Sequence, residues 1–288
     1  AKVPRADRLG YCFSYGCESN ADHDAKLLAW SKQVEAPEVV GQYVGAELVR
    51  RLSHPVGHVA VLNDTVATLL AGKAMYPFAS DAAYLGFILG TGTNTAAVEG
   101  GEIRNAESGE FDKIVRSDFD LKLDSTTTDP GCAVFEKMIS GAYLGPLGLT
   151  VLRGASDAGL FASATVSALA RRDTLETREL DAFAAGEAPE FAEGFDAADF
   201  AFARDVATSV FRRAAILTAV HLAAFIRRQS AKHIVLTVDG STYYKTRSVS
   251  FDALVRGELA GLVPDRTISV VRVDEAPMVG AAIAALSV

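Results

Sequence analysis

The 288-residue chain has little of what would place it outside a reducing compartment or on a charged polymer. It carries three cysteines, Cys12, Cys17 and Cys132, an odd and sparse set that cannot build a disulfide framework. Cys12 and Cys17 lack the paired spacing of a zinc site, so free, partly buried thiols and no bound metal are expected. Positive charge is short as well. The formal net charge of -8 gives nucleic acid or an anionic membrane no global attraction. No apolar run reaches the roughly 18–20 residues of a membrane span. The start, Ala1-Lys2-Val3-Pro4-Arg5, is polar and has no apolar signal region, so a cytoplasmic chain is expected. There is no short-period repeat and no low-complexity tract.

What is present is a core: 49% of the residues are apolar. Short apolar runs alternate with helical patterns, which predicts an α/β protein with mixed sheets. Strands are expected at Leu9–Tyr15, His58–Leu62, Tyr84–Leu89, Thr95–Val98, His233–Val238 and Thr267–Val273, with a short apolar element at Ala25–Trp30. Glu102–Arg104 can begin a strand after the Gly100-Gly101 turn. Helical spacing marks Gly41–Leu52, Phe202–Arg228, Phe251–Leu259 and Ala276–Leu286. A further helix opens at Asn63-Asp64 and stops at Gly72. Asp129-Pro130-Gly131 reads as a helix start, with Val134, Phe135, Met138, Ile139 and Ala142 on one face.

Two segments carry the chemistry. V-L-N-D-T-V-A-T at Val61–Thr68 puts the carboxylate of Asp64 where a strand gives way to a helix. There it is either an N-cap or a base placed to take a proton from a hydroxyl, with Asn63 beside it for a polyol. Y-L-G-F-I-L-G-T-G-T-N at Tyr84–Asn94 ends a strand in Gly90-Thr91-Gly92. The helix that a dinucleotide-binding turn needs does not follow, so the pattern fits a hairpin. That hairpin is an ordinary glycine turn or one that holds phosphate on backbone N–H groups, Thr91 adding a hydroxyl. Glu107 and Glu136 are candidate acceptors for sugar hydroxyls or plain surface acids. Lys32 is a surface lysine or a cation for substrate oxygen. Asp239-Gly240-Ser241 is a turn or a nucleotide contact. His221, inside an apolar helix, is a core histidine. A carboxylate base and a phosphate cradle together suggest phosphoryl transfer.

Read together, seven segments resemble the hexokinase/glucokinase family of eukaryotic type. They are L-G-Y-C-F-S-Y (9–15), W-S-K (30–32), V-L-N-D-T-V-A-T (61–68), G-F-I-L-G-T-G-T-N (86–94), N-A-E-S-G-E-F (105–111), D-P-G-C-A-V-F-E-K-M-I-S-G-A-Y-L-G (129–145) and V-D-G-S-T-Y-Y-K (238–245). The resemblance implies the actin-like ATPase (ribonuclease H-like) fold of the sugar kinase, Hsp70 and actin superfamily. It implies the remainder of a small sugar-binding lobe over residues 1–63 and a large lobe over 64–275. A C-terminal helix over 276–288 would return to the small lobe.

By the same resemblance Asp64 is the general base for the 6-hydroxyl of a hexose, glucose foremost. Ser14, Ser31, Lys32, Asn63, Asn94, Glu107 and Glu136 hold the sugar. Thr91 and Gly92 resemble the second phosphate turn, and Gly240 and Ser241 the adenosine segment, so ATP and Mg²⁺ are the implied co-substrate and ion. Asp64 and the hairpin are then expected to meet in a cleft lined by Glu107 and Glu136.

Departures accompany the match. Gly16 stands where the family has proline, Gln33-Val34 where it has Gly-Phe, and Cys132-Ala133 where it has a glutamine pair that includes a sugar ligand. No Asp-x-Gly-Gly-Thr, the family's first phosphate motif, occurs in the sequence. The small lobe is therefore expected to be incomplete and the chain a truncated form of poor activity. Self-association or a separate N-terminal segment would complete it. The competing expectations are a kinase for another sugar, a related ATPase, or an inactive protein that binds sugar or nucleotide.

Overall fold

The computed structural model describes residues 6–30, 36–77, 81–187 and 190–287. The strands are β1 (Arg8–Cys12), β2 (Gly16–Ser19), β3 (Ala25–Ala29), β4 (His58–Leu62), β5 (Ala82–Leu89), β6 (Thr93–Glu99), β7 (Glu102–Asn105), β8 (His233–Asp239) and β9 (Thr267–Val271). The helices are α1 (Val44–Arg51), α2 (Asp64–Met75), α3 (Asp118–Asp124), α4 (Val134–Ile139), α5 (Leu144–Asp157), α6 (Ser163–Ala170), α7 (Thr177–Ala184), α8 (Ala197–Arg227), α9 (Ser241–Lys245), α10 (Phe251–Leu262) and α11 (Ala276–Ser287).

Five strands form the main sheet in the order β7-β6-β5-β8-β9. β5 is its axis, antiparallel to β6 and parallel to β8. Alternation along β5 sorts its side chains onto two faces. Leu85, Phe87 and Leu89 join the large core built with α4, α5, α7, α8 and α10, while Tyr84 joins Leu69 of α2 and Val235 of β8 on the other side. Helices thus cover both faces, which accounts for the nearly continuous apolar runs of β5 and β8.

A second, parallel sheet pairs β1 with β4, Leu9 opposite Val59. α11 packs on α2 and also on β1 and β4, so these two helices lie between the sheets. The β2–β3 hairpin and α1 close over a small core of Ala25, Leu27, Val44 and Val61, with Phe13, Tyr15 and Trp30 packed against it.

Two helix boundaries move in an instructive way. α2 does not stop at Gly72 but runs to Met75. Gly72 is there because α2 lies so close to β8 that a β-carbon would strike the side chain of Thr237. Asp129-Pro130 does not start a helix: α4 begins at Val134, after Ala133 in the left-handed region at φ 47°. The Gly131 amide is taken by the carboxylate of Asp124 and the Ala133 amide by Glu110, which fixes this stretch as a loop. Val134, Phe135, Met138 and Ile139 are buried as expected, whereas Ala142 is exposed in the turn beyond the helix.

α8, at 31 residues, meets the length and composition of a membrane span, which the sequence reading passed over. Its Ala207, Phe211, Ala215 and Leu222 are fully buried in the core, and Arg213 makes a two-pronged ion pair with Asp120 of α3.

Candidate active site

Asn63 ends the run out of β4 and caps α2, its side-chain oxygen accepting from the Thr65 amide at 2.8 Å. The capping role considered for Asp64 therefore falls to its neighbour. Asp64 is the first residue of the helix. Its Oδ1 accepts from the Thr65 amide at 2.8 Å, and its own amide faces the hydroxyl of Ser14 at 3.4 Å. Burial first, and the nearby Asp64 carboxylate second, push the Cys12 thiol up to about 11, so that cysteine is inert near neutral pH. The helix then passes over β5, with the Thr65 carbonyl against Gly86.

Gly90, Thr91 and Gly92 form the turn between β5 and β6, closed by a Gly90 N–H to Gly92 carbonyl bond of 2.9 Å. The carbonyls of this turn are bound by the protein. Gly90 accepts from the Gly141 amide and the Thr242 hydroxyl, each at 2.8 Å, and Thr91 accepts from the Ala142 amide at 3.0 Å. The amides of Thr91 and Gly92 have no acceptor among the described residues. Two successive N–H groups left over while their carbonyls are tied back are donors of the kind that hold anion oxygens.

Glu136, in the first turn of α4, lies over this hairpin and accepts from the Thr93 amide at 2.8 Å. Next along β6, the Asn94 side-chain oxygen accepts from the amides of Thr95 and Ser108. Its Nδ2 donates to Asn105 at 2.7 Å, and Asn105 donates to Glu107 at 2.5 Å. Glu107 is held at φ 45° at the head of a short 3-10 turn. Asn94, Glu107 and Glu136 are thereby brought around the hairpin as one polar cluster. A buried ion pair braces it: Lys137, 4% exposed, donates to Asp124 at 2.7 Å, to Thr127 at 2.9 Å and to the Asp129 carbonyl at 2.8 Å. Burial opposes its charge, but the hydrogen bonds it donates to Asp124 and Asp129 outweigh that and hold its pKa above the ordinary lysine value.

Gly240 and Ser241 follow β8 and lie beside Gly90, where a β-carbon on Gly90 would sit 3.7 Å from the Gly240 Cα and the Ser241 amide. Both residues line a cavity of about 940 Å³ between β1, α11 and the end of β9. A second cavity, of about 790 Å³, includes Glu107 and lies between β6, β7 and α8. Asp64 lines neither, and among the described residues its hydrogen bonds run to Ser14, Thr65 and Thr68 and not to the hairpin. Ser14 stands with Asp64 rather than with the polar cluster. Ser31 and Lys32 lie outside the described residues.

The sequence reading missed Asn105, Thr242 and Lys137. All three sit inside quoted motifs, but the bonds of Asn105 to Asn94, Lys137 to Asp124 and Thr242 to Gly90 span 11, 13 and 152 positions and give no local signal. His221 is the core histidine expected. Burial pushes its imidazole down to about 4, and its Nε2 meets the Thr95 hydroxyl at 2.8 Å.

Two family models, both described as hexokinase, match residues 2–74 and 84–287. Hexokinase-5 of Oryza sativa is 33% identical over 199 residues, covering 62% of this chain and 38% of its own length. Human hexokinase HKDC1 is 32% identical over 256 residues, 76% of this chain and 27% of its own. Human hexokinase-2 is 29% identical, covering 96% and 33%. The chain thus spans between about a quarter and two-fifths of the length of these curated relatives. Among solved structures, the Schistosoma mansoni hexokinase complexed with glucose matches at TM-score 0.81 and 27% identity, over 97% of this chain and 69% of that one. A ROK family glucokinase from Streptomyces griseus shares the fold at TM-score 0.59 and 17% identity, over 99% and 83%.

Proposed function

Since the chain belongs to the hexokinase family, we propose that it takes part in transferring the γ-phosphoryl group of ATP to the 6-hydroxyl of a hexose, glucose foremost. Its fold is the actin-like ATPase fold that hexokinases share with ROK sugar kinases. The observation that carries the proposal is the hairpin at Gly90–Gly92, its spare amides next to the Asn94, Glu107 and Glu136 cluster. One half suits the oxygens of a phosphate. The other offers the fixed carboxylates and amides that a polyol needs.

In this reading Asp64 accepts the proton of the 6-hydroxyl as the phosphoryl group leaves ATP. Asn63, Asn94, Glu107 and Glu136 hold the ring, with Ser14, Ser31 and Lys32 on the small-lobe side. Thr91 and Gly92 receive phosphate oxygens, and Gly240 and Ser241 the adenosine. The described residues hold no group of three His, Cys, Asp or Glu that would cage an ion. That fits Mg²⁺ arriving on the nucleotide phosphates, its usual mode, where it neutralises their charge. Closure of the lobe carrying β1 and β4 on that carrying β5 would bring Asp64 to the sugar and exclude water. The free thiols of Cys12, Cys17 and Cys132 suit the cytoplasm.

Because no Asp-x-Gly-Gly-Thr occurs in these residues, the proposal includes weak turnover by this chain alone. The test is glucose-dependent ADP release, measured together with glucose binding by calorimetry, in the chain and in its Asp64→Ala variant. General-base loss costs roughly a hundred- to ten-thousand-fold in rate. Unchanged turnover in Asp64→Ala removes Asp64 from the role. Tight glucose binding with no ADP release marks a sugar-binding protein instead of a kinase.

A further inference from the structure

The 790 Å³ cavity behind the hexose cluster has the size of a small-molecule site. Its apolar wall is formed by Phe111, Ile114, Phe135, Leu217, Val220 and Phe225. The ring of His221 lines it too, 4.8 Å from Phe135 and 5.0 Å from Phe225, which makes one side of the cavity aromatic. Val220 and Phe111, 50% and 45% exposed, leave its mouth open to solvent.

The charges around it are already engaged. Arg228 grips Glu99 with two bonds of 2.7 and 3.0 Å, Arg104 pairs with Glu102, Glu110 accepts from the Ala133 amide, and Glu107 accepts from Asn105. A charged guest would have to compete with these solvent-exposed pairs for a counter-charge, or enter the apolar part of the cavity unpaired, which is costly. One polar point remains. His221 spends Nε2 on Thr95, and its Nδ1 has no partner among the described residues. From that ring a relay leads to the hexose cluster: the Thr95 hydroxyl meets the Ser108 hydroxyl at 3.0 Å, and the Ser108 amide donates to Asn94 at 3.1 Å.

We propose that this cavity binds an uncharged aromatic small molecule carrying one hydrogen-bonding group, and that its occupancy alters hexose affinity through His221, Thr95 and Ser108. The ring of the guest stacks among Phe135, Phe225 and His221, and its polar group meets Nδ1. The binding half stands on the cavity alone. The coupling half rests on the hexose reading of Asn94 and Glu107.

The probes are 2-naphthol and, as the charged counterpart, naphthalene-2-sulfonate, titrated into the full chain by calorimetry. The expected result is 2-naphthol binding at least about tenfold tighter than the sulfonate, lost in Val220→Trp, which fills the mouth at an exposed position. His221→Phe, which keeps the ring and loses the nitrogen, weakens binding by about two- to tenfold, the worth of one hydrogen bond. Saturating 2-naphthol changes the glucose Kd by about fivefold or more, and glucose changes the naphthol Kd by the same factor. Equal binding of the sulfonate, or naphthol binding that survives Val220→Trp, overturns the site. So does sedimentation showing a self-associated chain that Val220→Trp dissociates while naphthol fails to bind. An unchanged glucose Kd at saturating naphthol overturns the coupling. Naphthol binding in a chain that binds no glucose removes the hexose reading, and the coupling with it, while the ligand site stands.

Discussion

The carboxylate of Glu136 accepts from the Thr93 amide at 2.8 Å while lying directly over Gly92, where a β-carbon would come within 2.5 Å of its Oε2. Helix α4 and the Gly90–Gly92 hairpin are therefore fitted to one another at a point with no room for a methyl group. What gives way there is the end of a side chain, not backbone. Gly92→Ala is expected to leave the fold and its Tm nearly unchanged while displacing the Glu136 carboxylate. The glucose Kd should rise about tenfold or more, the order of one lost charge-assisted hydrogen bond. Calorimetric titration with glucose checks it, and an unaltered Kd in a normally folded variant refutes the coupling of the two elements.

Gly72 gives a prediction with the opposite balance. In an exposed helix interior, exchanging glycine for alanine stabilises by about 1 kcal/mol. Here the added methyl meets the side chain of Thr237 on β8, whose own hydroxyl is buried without a hydrogen bond. Gly72→Ala should therefore destabilise by about 1–3 kcal/mol, as overpacking does. The double variant with Thr237→Ala should recover most of that, since the clash and the stranded hydroxyl go together. Urea unfolding of the two singles and the double decides it.

The same residue shows where sequence reading ends. A glycine after eight helical positions looks like a stop, and only the approach of β8 reveals why a helix carries one. Asp129-Pro130 looks like a start, but Asp124 and Glu110 claim the amides of Gly131 and Ala133 and hold the stretch as a loop. By contrast, the β4-to-α2 junction at Asn63-Asp64, the β5 strand and its Gly-Thr-Gly turn were legible, because strand alternation and turn chemistry are local. The hexose candidates Asn94, Glu107 and Glu136 came from motifs, and the structure gathers them. What no motif disclosed was the framework behind them, in which Asn105, Lys137 and His221 act through partners distant in sequence.

Lys137 is the sharpest instance of that framework. Its ammonium is buried and tied to Asp124 and Asp129, and it locks the loop before α4 to the helix that presents Glu136. Removing one member of a buried pair strands the other, at a typical cost of 3–5 kcal/mol. Lys137→Met is expected to lose about that much, and Lys137→Met with Asp124→Leu clearly less, because the buried carboxylate is then no longer stranded, while the more exposed Asp129 and Arg116 turn to water. Equal losses in the single and the double variant, measured by chemical denaturation, would show that the pair is not a unit.

His221 ties stability to pH. Burial holds its imidazole neutral down to about pH 4, against an ordinary value of 6.5. Between those limits the unfolded chain binds a proton that the folded chain refuses, so stability falls as pH drops from 6.5 toward 4. The loss approaches about 3 kcal/mol at the acid end if the folded value is near 4. Above pH 7 this group makes no pH-dependent contribution, since it is neutral in both states. Replacing His221 by Phe keeps a ring against Phe135 and Phe225 and removes the titration. The variant should start less stable at neutral pH, having lost the Thr95 contact, yet show a shallower decline on acidification. Urea midpoints at several pH values between 7 and 4 resolve the two slopes. Parallel slopes would mean that the buried imidazole does not set the acid sensitivity of the fold.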